Sequence, residues 1–584
     1  MGTNIGIDFG STYSMISCYN EQKKEPVGIV CDNRRVEIQS LACENPTGRG
    51  LVFGDEALKS LCKDPTLESY RAFKMLLHEG EPENYRSHGY KTRTPAEVSE
   101  AFLEKFLLKA VSSKLKKKYV DNAVICVPEH WIKRCDQMSG RSILLNICRK
   151  IRNRDGEPLL KNIRVISEPV AATAYYAHCY RRAHKNKPFE GDVLIVDYGG
   201  GTLDISLTTV KAGKRDNDKM EIDVEFRTGV GENSQGKIGD AGLAYMERVV
   251  AIALEKAGIR NVRADGLFLN AKDELEAALM DGAEDLHDYL IQEGYDGDNM
   301  ELMETNHELF KEVMYGGKVI SITYAMLYQA FVEIVYPVLE KYMGEIKREI
   351  LDKRSEPCKV AIVGGFGKFS MVQFAIWKLL GVAEKTLDLT LDAGGDQQEA
   401  VSLGAALIAA GEVQVLVKSP YAMGLKTTGN WFRSAIAYQQ EIPDRDEVYP
   451  VGGQWKDPLV ILESDNTWVF AVNNKKDSDE AIALKPVPWV YRDISNRLRQ
   501  AKELLQLELK KKIEAFYLGF SMDESCIYYV HFFAADPETE ERILNYSVKE
   551  ELGNFLLLFG PTVSLTPKPN GENVLKREKT EKMS

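Results

Sequence analysis

Through roughly the first 410 residues, short apolar runs that stop at small or acidic residues alternate with longer amphipathic stretches. An apolar run bounded by turn residues predicts a buried strand, and apolar positions three and four apart predict a helix. Strands are expected at 4–8, 14–18, 123–127, 193–197, 203–209 and 359–363, and helices at 96–117, 168–180, 241–257, 322–350, 370–380 and 399–411. Thr94-Pro95-Ala96-Glu97 opens the first helix with a cap, a proline at the first helical position and an acid in the first turn. This alternation is that of an α/β protein. Residues 281–308 break it and read as an acidic, irregular, solvated insert; Asp296-Gly297-Asp298-Asn299 lacks the spacing and closing glutamate of a calcium loop.

The pattern changes after Gly411. Val413–Val417 is an apolar strip ending at Lys418-Ser419-Pro420, expected to be a linker over 412–418. Residues 421–491 read as β-rich, with a hairpin around Ser464-Asp465-Asn466. A helix is expected from Asp493 to about Ile513, then strands at 516–521 and 526–533, then a last helix from Asp536-Pro537-Glu538. The division this implies is 1–411, the linker 412–418, a β-rich module 419–565, and a charged tail 566–584 with the composition of a disordered segment.

Composition narrows the setting. A chain of 584 residues exceeds what one core sustains, about 250–300 residues. A net charge of −12 argues against nucleic acid as the main partner. No run of about 18 apolar residues predicts a membrane span. The ten cysteines form no C-x-x-C pair, which suits a reducing cytoplasm. The chain enters its first strand without the charged and apolar regions of a secretion signal.

The candidate chemistry lies where two of the predicted strands end. Ile5-Gly6-Ile7-Asp8-Phe9-Gly10-Ser11-Thr12 and Leu194-Ile195-Val196-Asp197-Tyr198-Gly199-Gly200-Gly201-Thr202 repeat one phrase: apolar run, aspartate, aromatic, glycine, hydroxyl. Such turns offer backbone N–H groups and hydroxyls to an anion, and two of them suggest a duplicated fold gripping one polyphosphate. Asp8 and Asp197 are placed to hold magnesium through its waters. Gly10, Ser11 and Thr12 on one side, and Gly199, Gly200, Gly201 and Thr202 on the other, are the phosphate donors. Glu168 begins a helix in Ile166-Ser167-Glu168-Pro169-Val170-Ala171-Ala172, and Val363-Gly364-Gly365 is another strand ending in glycines.

Taken in order, G-I-D-F-G-S-T, I-S-E-P-V-A-A, V-D-Y-G-G-G-T-L-D, V-G-G and E-A-V-S-L-G-A-A resemble the nucleotide-binding domain of the 70-kilodalton heat-shock (DnaK-like) chaperones, in the actin-like ATPase superfamily. Phe73-Lys74-Met75-Leu76-Leu77 and Thr94-Pro95-Ala96-Glu97-Val98 also fall where that family has counterparts, so the resemblance covers about 1–410. It implies a duplicated, two-lobed, ribonuclease H-like α/β ATPase domain followed by a smaller β-rich α+β domain. It also implies ATP or ADP with Mg2+ as cofactors and slow, regulatory hydrolysis. Lys74 would lie beside the γ-phosphate; Glu168 and Asp204 would orient or deprotonate the water; Thr202 would position phosphate or water. Lys272 matches a nucleoside-contacting lysine, Gly364 and Gly365 let adenosine approach the backbone, and Lys368 stands where the family has arginine.

The sequence departs from that pattern mostly on the nucleoside side. Leu269 replaces an acid, Glu276 a small hydroxyl residue and Gln398 an aspartate. Lys368 cannot stack as a planar guanidinium does. Cys126-Val127-Pro128-Glu129-His130-Trp131 replaces a Pro-Ala-Tyr-Phe-like turn, and the linker has no aspartate. Ser419–Leu425 resembles the first strand of the chaperone peptide-binding domain, but no room is left for a multi-helix lid. The reading is therefore a divergent DnaK-like ATPase of the cytoplasm. Its C-terminal module would bind a protein client or partner, with an exchange factor or co-chaperone as a further partner, and neither nucleic acid nor membrane. An actin-like scaffold or filament protein and a superfamily small-molecule kinase are the alternatives.

Overall fold

The computed structural model describes residues 2–31, 35–77, 82–86, 88–129, 131, 140–213, 219–231, 241–259, 266–295, 297–354, 358–381, 397–419, 422–426, 432–438, 440–442, 447–456, 459–460, 469–473, 502–503, 506–507, 510, 512–523, 526–539 and 541–553. Two six-stranded sheets carry the first part of the chain. In the first, β1 (Asn4–Asp8) pairs antiparallel with β2 (Tyr13–Asn20), which pairs antiparallel with β3 (Glu25–Gly28). On its other side β1 runs parallel to β4 (Val120–Val127), and β4 runs parallel to β5 (Leu160–Ser167). The second sheet repeats this plan. β6 (Gly191–Tyr198) pairs antiparallel with β7 (Leu203–Ala212), β7 with β8 (Met220–Val230), and β6 runs parallel to β9 (Lys359–Val363). The central strands are buried on both faces, hence their continuous apolar runs: Ile5, Ile7, Val193, Leu194, Ile195 and Val196 are fully buried.

Helices cover these sheets. α1 (Pro95–Leu108) begins at a complete capping box, with the Thr94 side chain accepting from the Glu97 N–H and the Glu97 carboxylate accepting from the Thr94 N–H. α2 (Glu168–Ala183) starts directly from β5. α3 (Gly242–Lys256), α4 (Gly266–Asp281) and α5 (Ser370–Leu380) belong to the second half. α6 (Ala400–Ala410) returns to the first sheet and packs on β1 and α2. A side chain on Gly404 would collide with the Ala171 carbonyl, and one on Gly6 with the backbone of α6, so these approaches require glycine.

The sequence expectations need correction in five places, the last at the segment expected as a linker. Residues 281–308 are not irregular: Ala283–Gln292 is a helix whose Leu286 and Leu290, one turn apart, pack into the core, and Met300–Thr305 is a 3-10 turn. The helix expected over 322–350 starts two residues late and contains a π segment. Its first residues belong to the strand Lys318–Thr323, rich in β-branched residues, and the helices Tyr324–Ala330 and Tyr336–Glu349 are joined by a π turn. Pro337 lies in the first turn of the second helix, where its missing N–H is tolerated. The last helix expected from Asp536 is instead a strand, Arg542–Gly553; Asp536 caps a turn by accepting from the Glu538 N–H at 2.9 Å. Fourth, the strands flanking Ser464–Asn466 do not form a hairpin with each other. Leu459–Val460 pairs with Ala515 and Phe516, whereas Val469–Asn473 pairs with residues 422–426. Long-range pairing decided these elements against local pattern. Residues 461–468, most of the helix expected at 493–513, and the tail 566–584 lie outside the described residues.

The segment expected as a linker is β10 (Val413–Lys418). It lies parallel to β8 in the second sheet, with Met220 opposite Val413 and Asp223 opposite Leu416, and its Val413, Val415, Leu416 and Val417 are buried. Lys418 donates to Asp223 at 2.6 Å. Beyond it, β11 (Ala422–Lys426) pairs with β12 (Phe432–Ile436) and β13 (Val469–Asn473). A further sheet contains β14 (Ala515–Met522), β15 (Tyr528–Ala535) and β16 (Arg542–Gly553). Phe516, Leu518, Phe520, Tyr528, Val530 and Phe532 of this sheet share one core cluster with α2, α6 and β10.

Candidate functional site

β1 and β6 deliver their aspartates to one cleft. Its wall includes Asp8, Gly10, Ser11, Thr12, Lys74, Glu168, Asp197, Gly199, Gly200, Thr202, Gly364 and Gly365, all expected from sequence. The cleft encloses about 760 Å³ of empty space, counting its open mouth.

The turn after β1 is tied down from behind. The Ser40 hydroxyl donates to the Gly10 carbonyl at 2.8 Å, and the Ser40 N–H donates to the Thr12 carbonyl at 2.7 Å. The turn after β6 closes on itself, the Gly199 N–H donating to the Thr202 carbonyl at 2.9 Å. The first turn of α3 holds it in place through the Leu243 N–H, which donates to the Gly200 carbonyl at 2.7 Å. The two turns touch each other. A Cβ on Gly200 would fall on the Thr12 hydroxyl, and one on Gly201 would meet Met75 and the Ser11 hydroxyl at 2.7 Å. Gly364, with φ +83°, closes against the same floor, because a Cβ there would meet the Asp197 carboxylate and the Tyr198 backbone.

The charges at this end do not balance. Asp8, Glu168, Asp197 and Asp204 surround one ammonium, that of Lys74, whose Nζ lies 2.6 Å from Glu168 Oε1 with both side chains buried. Burial would lower the Lys74 pKa, but Glu168 and Asp8 outweigh it and hold the ammonium charged. The carboxylates shift the other way. Burial, reinforced by Glu168 and partly offset by Lys74, pushes Asp8 up to about 7. Burial, then Glu168 and the neighbouring aspartates, pushes Asp197 well above the ordinary carboxylate range. Asp204 stands opposite Asp197 across β6 and β7, fully buried, and is pushed up by burial and Glu168. It accepts from the Glu129 backbone N–H at 2.8 Å and from Thr202.

A crowd of raised carboxylates around one cation is an environment that a divalent ion would relieve. Among the described residues, no three His, Cys, Asp or Glu side chains stand close enough to ligate a metal directly. Asp8 and Asp197, at the ends of the two facing strands, could accept from the water shell of such an ion.

The nucleoside end differs more from expectation. Lys272 does not line the cleft: it is buried, pairs with Glu276 at 3.2 Å and approaches Asp273 at 3.7 Å. Glu276 lines the cleft instead, with Met246, Met280 and Phe366. Asp273 is gripped bidentately by Arg71 at 2.6 and 2.9 Å, joining the Ser69–Arg71 strand to α4. Lys368 stands behind the wall and donates to Gln398 at 3.3 Å. The two departures noted at these positions therefore meet in one contact, an ammonium with a neutral amide. Gly201 and Asp204 likewise buttress the wall rather than line it.

Sequence reasoning missed Arg71, Glu129 and Trp131. Glu129 and Trp131 follow β4, which runs beside β1 with Cys126 opposite Asp8. Their adjacency to the end of a strand parallel to β1 was the available signal. The Hsp70 protein family model matches residues 71–226, a stretch that contains Lys74, Glu168, Asp197, Thr202 and Asp204.

Proposed function

We propose that this chain, of which residues 71–226 match the Hsp70 protein family model, is an actin-like ATPase of the Hsp70 family that binds magnesium-ATP in this cleft, hydrolyses it slowly, and uses the nucleotide state to control a protein partner bound by its C-terminal strands. The observation that carries the reading is the pair of facing strand–aspartate–glycine turns with one buried ammonium among four carboxylates. Backbone N–H groups and hydroxyls of Gly10–Thr12 and Gly199–Thr202 would cradle the β- and γ-phosphates. Magnesium, when bound, neutralises charge on the phosphates and on the wall. Lys74 then stabilises the charge that develops on the transferring group, the dominant need in phosphoryl transfer. Asp204 orients the Thr202 hydroxyl, while Glu168 is close enough to the ammonium to align it and to accept a proton from water.

Coupling to the C-terminal strands has a physical route. β10 extends the sheet that carries Asp197. Asp523 and Cys526, in the connection between β14 and β15, meet two arginines: the buried Arg141 donates to Asp523 at 3.0 Å and the partly buried Arg227 to the Cys526 sulfur at 2.9 Å. Arg227 also lies 3.8 Å from Glu129, whose N–H holds Asp204. A partner site on these strands would be sensed at the cleft only if nucleotide binding favours one arrangement of these contacts. A protein client, and an exchange factor or co-chaperone, are the partners this reading implies.

Thermal unfolding with ATP, ADP and GTP at millimolar levels tests the reading. Ligand at about 100 times Kd adds about 2.7 kcal/mol. No shift with any of the three overturns nucleotide binding. Hydrogen exchange of residues 413–417 in the ATP and ADP states tests the coupling separately, and identical protection rejects it.

A further inference from the structure

The contacts of Lys74 extend beyond Glu168. The turn after β4 is closed by the Trp131 N–H, which donates to the Pro128 carbonyl at 3.1 Å. It brings the Trp131 indole, 1% exposed, over the Lys74 ammonium, with Nζ 5.9 Å from the ring centroid. The space for this indole is built into the chain. A Cβ on Gly140 would meet two of its ring carbons at 2.6 and 2.7 Å, so any larger residue there would displace the ring. An indole face attracts a cation most strongly among the aromatic rings, and more so in a desolvated site.

We propose that Trp131 is a positioning residue for Lys74: its ring face and the Glu168 carboxylate hold the ammonium between them at the phosphate end of the cleft. Glu168 alone fixes Lys74 by a single short ion pair. A ligand phosphate competes for that same ammonium, because both are anionic. The indole carries no charge and does not compete, so it keeps Lys74 in place when the ammonium turns from Glu168 to the phosphate. Its contribution is therefore to turnover more than to nucleotide affinity. The inference deepens the ATPase reading and rests on it for its kinetic half only.

The test compares Trp131→Phe, which keeps a ring face, with Trp131→Leu, which keeps an apolar side chain without one. Two readouts are used. Without nucleotide, the rate of reductive methylation of Lys74 is followed by mass spectrometry across pH. Trp131→Leu is expected to methylate several-fold faster at a given pH, because the charged form has lost a partner, and Trp131→Phe to stay near wild type. With ATP, Trp131→Leu is expected to lose about tenfold in kcat. Its KM should stay within twofold and its alkaline limb should move to lower pH, with most of the loss restored in Trp131→Phe. Wild-type methylation and wild-type kcat in Trp131→Leu overturn the proposal. So does an equal loss of kcat and melting temperature in both variants, which would mark Trp131 as space-filling. If ATP fails to stabilise even the wild-type protein, the ATPase reading falls, and the methylation arm still decides whether Trp131 holds Lys74.

Discussion

The two sheets share a strand plan but end differently. In the first, β3 is an exposed edge whose Val27 is 38% exposed. In the second, the strand after β8 is β10, brought from nearly two hundred residues further along, with Val413, Val415 and Val417 buried. The first half supplies Asp8, Lys74 and Glu168 to the cleft. The second half supplies Asp197, Thr202 and Asp204, and it alone is extended by the strand leading into the C-terminal part. The two halves thus present equivalent facing turns, and the unequal sheet edges leave only the second half joined to the C-terminal strands.

Lys74→Ala should break the comparison most severely. Loss of a preorganised donor to the transferring phosphoryl group costs about 10²–10³ in kcat. Melting with ATP should still show stabilisation, since the phosphate turns remain. Steady-state turnover and thermal shift together check this; retention of full turnover would remove Lys74 from the chemistry.

The unequal edges make a paired prediction. Val415→Asp buries a carboxylate between β8 and the core and should destabilise by about 3 kcal/mol or more. Val27→Asp, on the open edge of the first sheet, should cost about 0.5 kcal/mol or less. Urea unfolding of both variants measures the difference. Equal costs would mean that β10 is not a structural member of its sheet in solution.

What the sequence disclosed follows the range of the interactions involved. The strand–aspartate–glycine phrases were legible because a turn is written in consecutive residues, and β1, β9 and α5 begin and end where their patterns do. Glu168 was legible because its helix begins in the first residue after β5. The contact of Arg227 with Cys526 spans 299 positions and leaves no local trace. β10 reads as a linker because an apolar strip of six residues does not say which edge it joins. Lys272 was expected at the nucleoside, but Glu276, one helical turn on, draws its ammonium away from the cleft. Of the C-terminal strands, β14 and β15 lie where their patterns put them, whereas β16 and the partners of β13 were misread for the same reason as β10: pairing, not residue preference, fixed them.

The two wall aspartates sharpen the comparison further. Burial and Glu168 hold Asp8 near 7 despite the neighbouring Lys74, against about 3.8 for an unperturbed side chain. Its folded pKa is the higher, so the folded state binds this proton more tightly. Stability is unaffected below about pH 4, falls as pH rises from about 4 to about 7, and is lower throughout above that. Asp8→Asn should therefore stabilise the magnesium-free protein at pH 8 by about 1–2 kcal/mol, a discounted figure because Asp8 is only half-buried. At pH 4 it should change nothing. Chemical denaturation at both pH values checks the sign, and millimolar magnesium with nucleotide should erase the advantage in the wild type's favour.

The smallest effect tests the nucleoside wall, where the chain diverges most. Lys368 donates to Gln398 at 3.3 Å, and both are partly exposed. Gln398→Asp would exchange a neutral acceptor for a charged one on a shorter side chain. An exposed ion pair contributes about 0.2–1 kcal/mol, reduced by salt, so stability should rise by about 0.5 kcal/mol at low ionic strength and less at high. The same carboxylate would hold the Lys368 ammonium more firmly behind the wall and leave it less able to turn toward a bound base. Nucleotide affinity should therefore fall slightly, about twofold, while kcat stays unchanged. Titration of ATP and GTP against the variant reads both terms. A loss of kcat would show that the nucleoside end is coupled to the phosphate end, and the separation of the two walls would then be wrong.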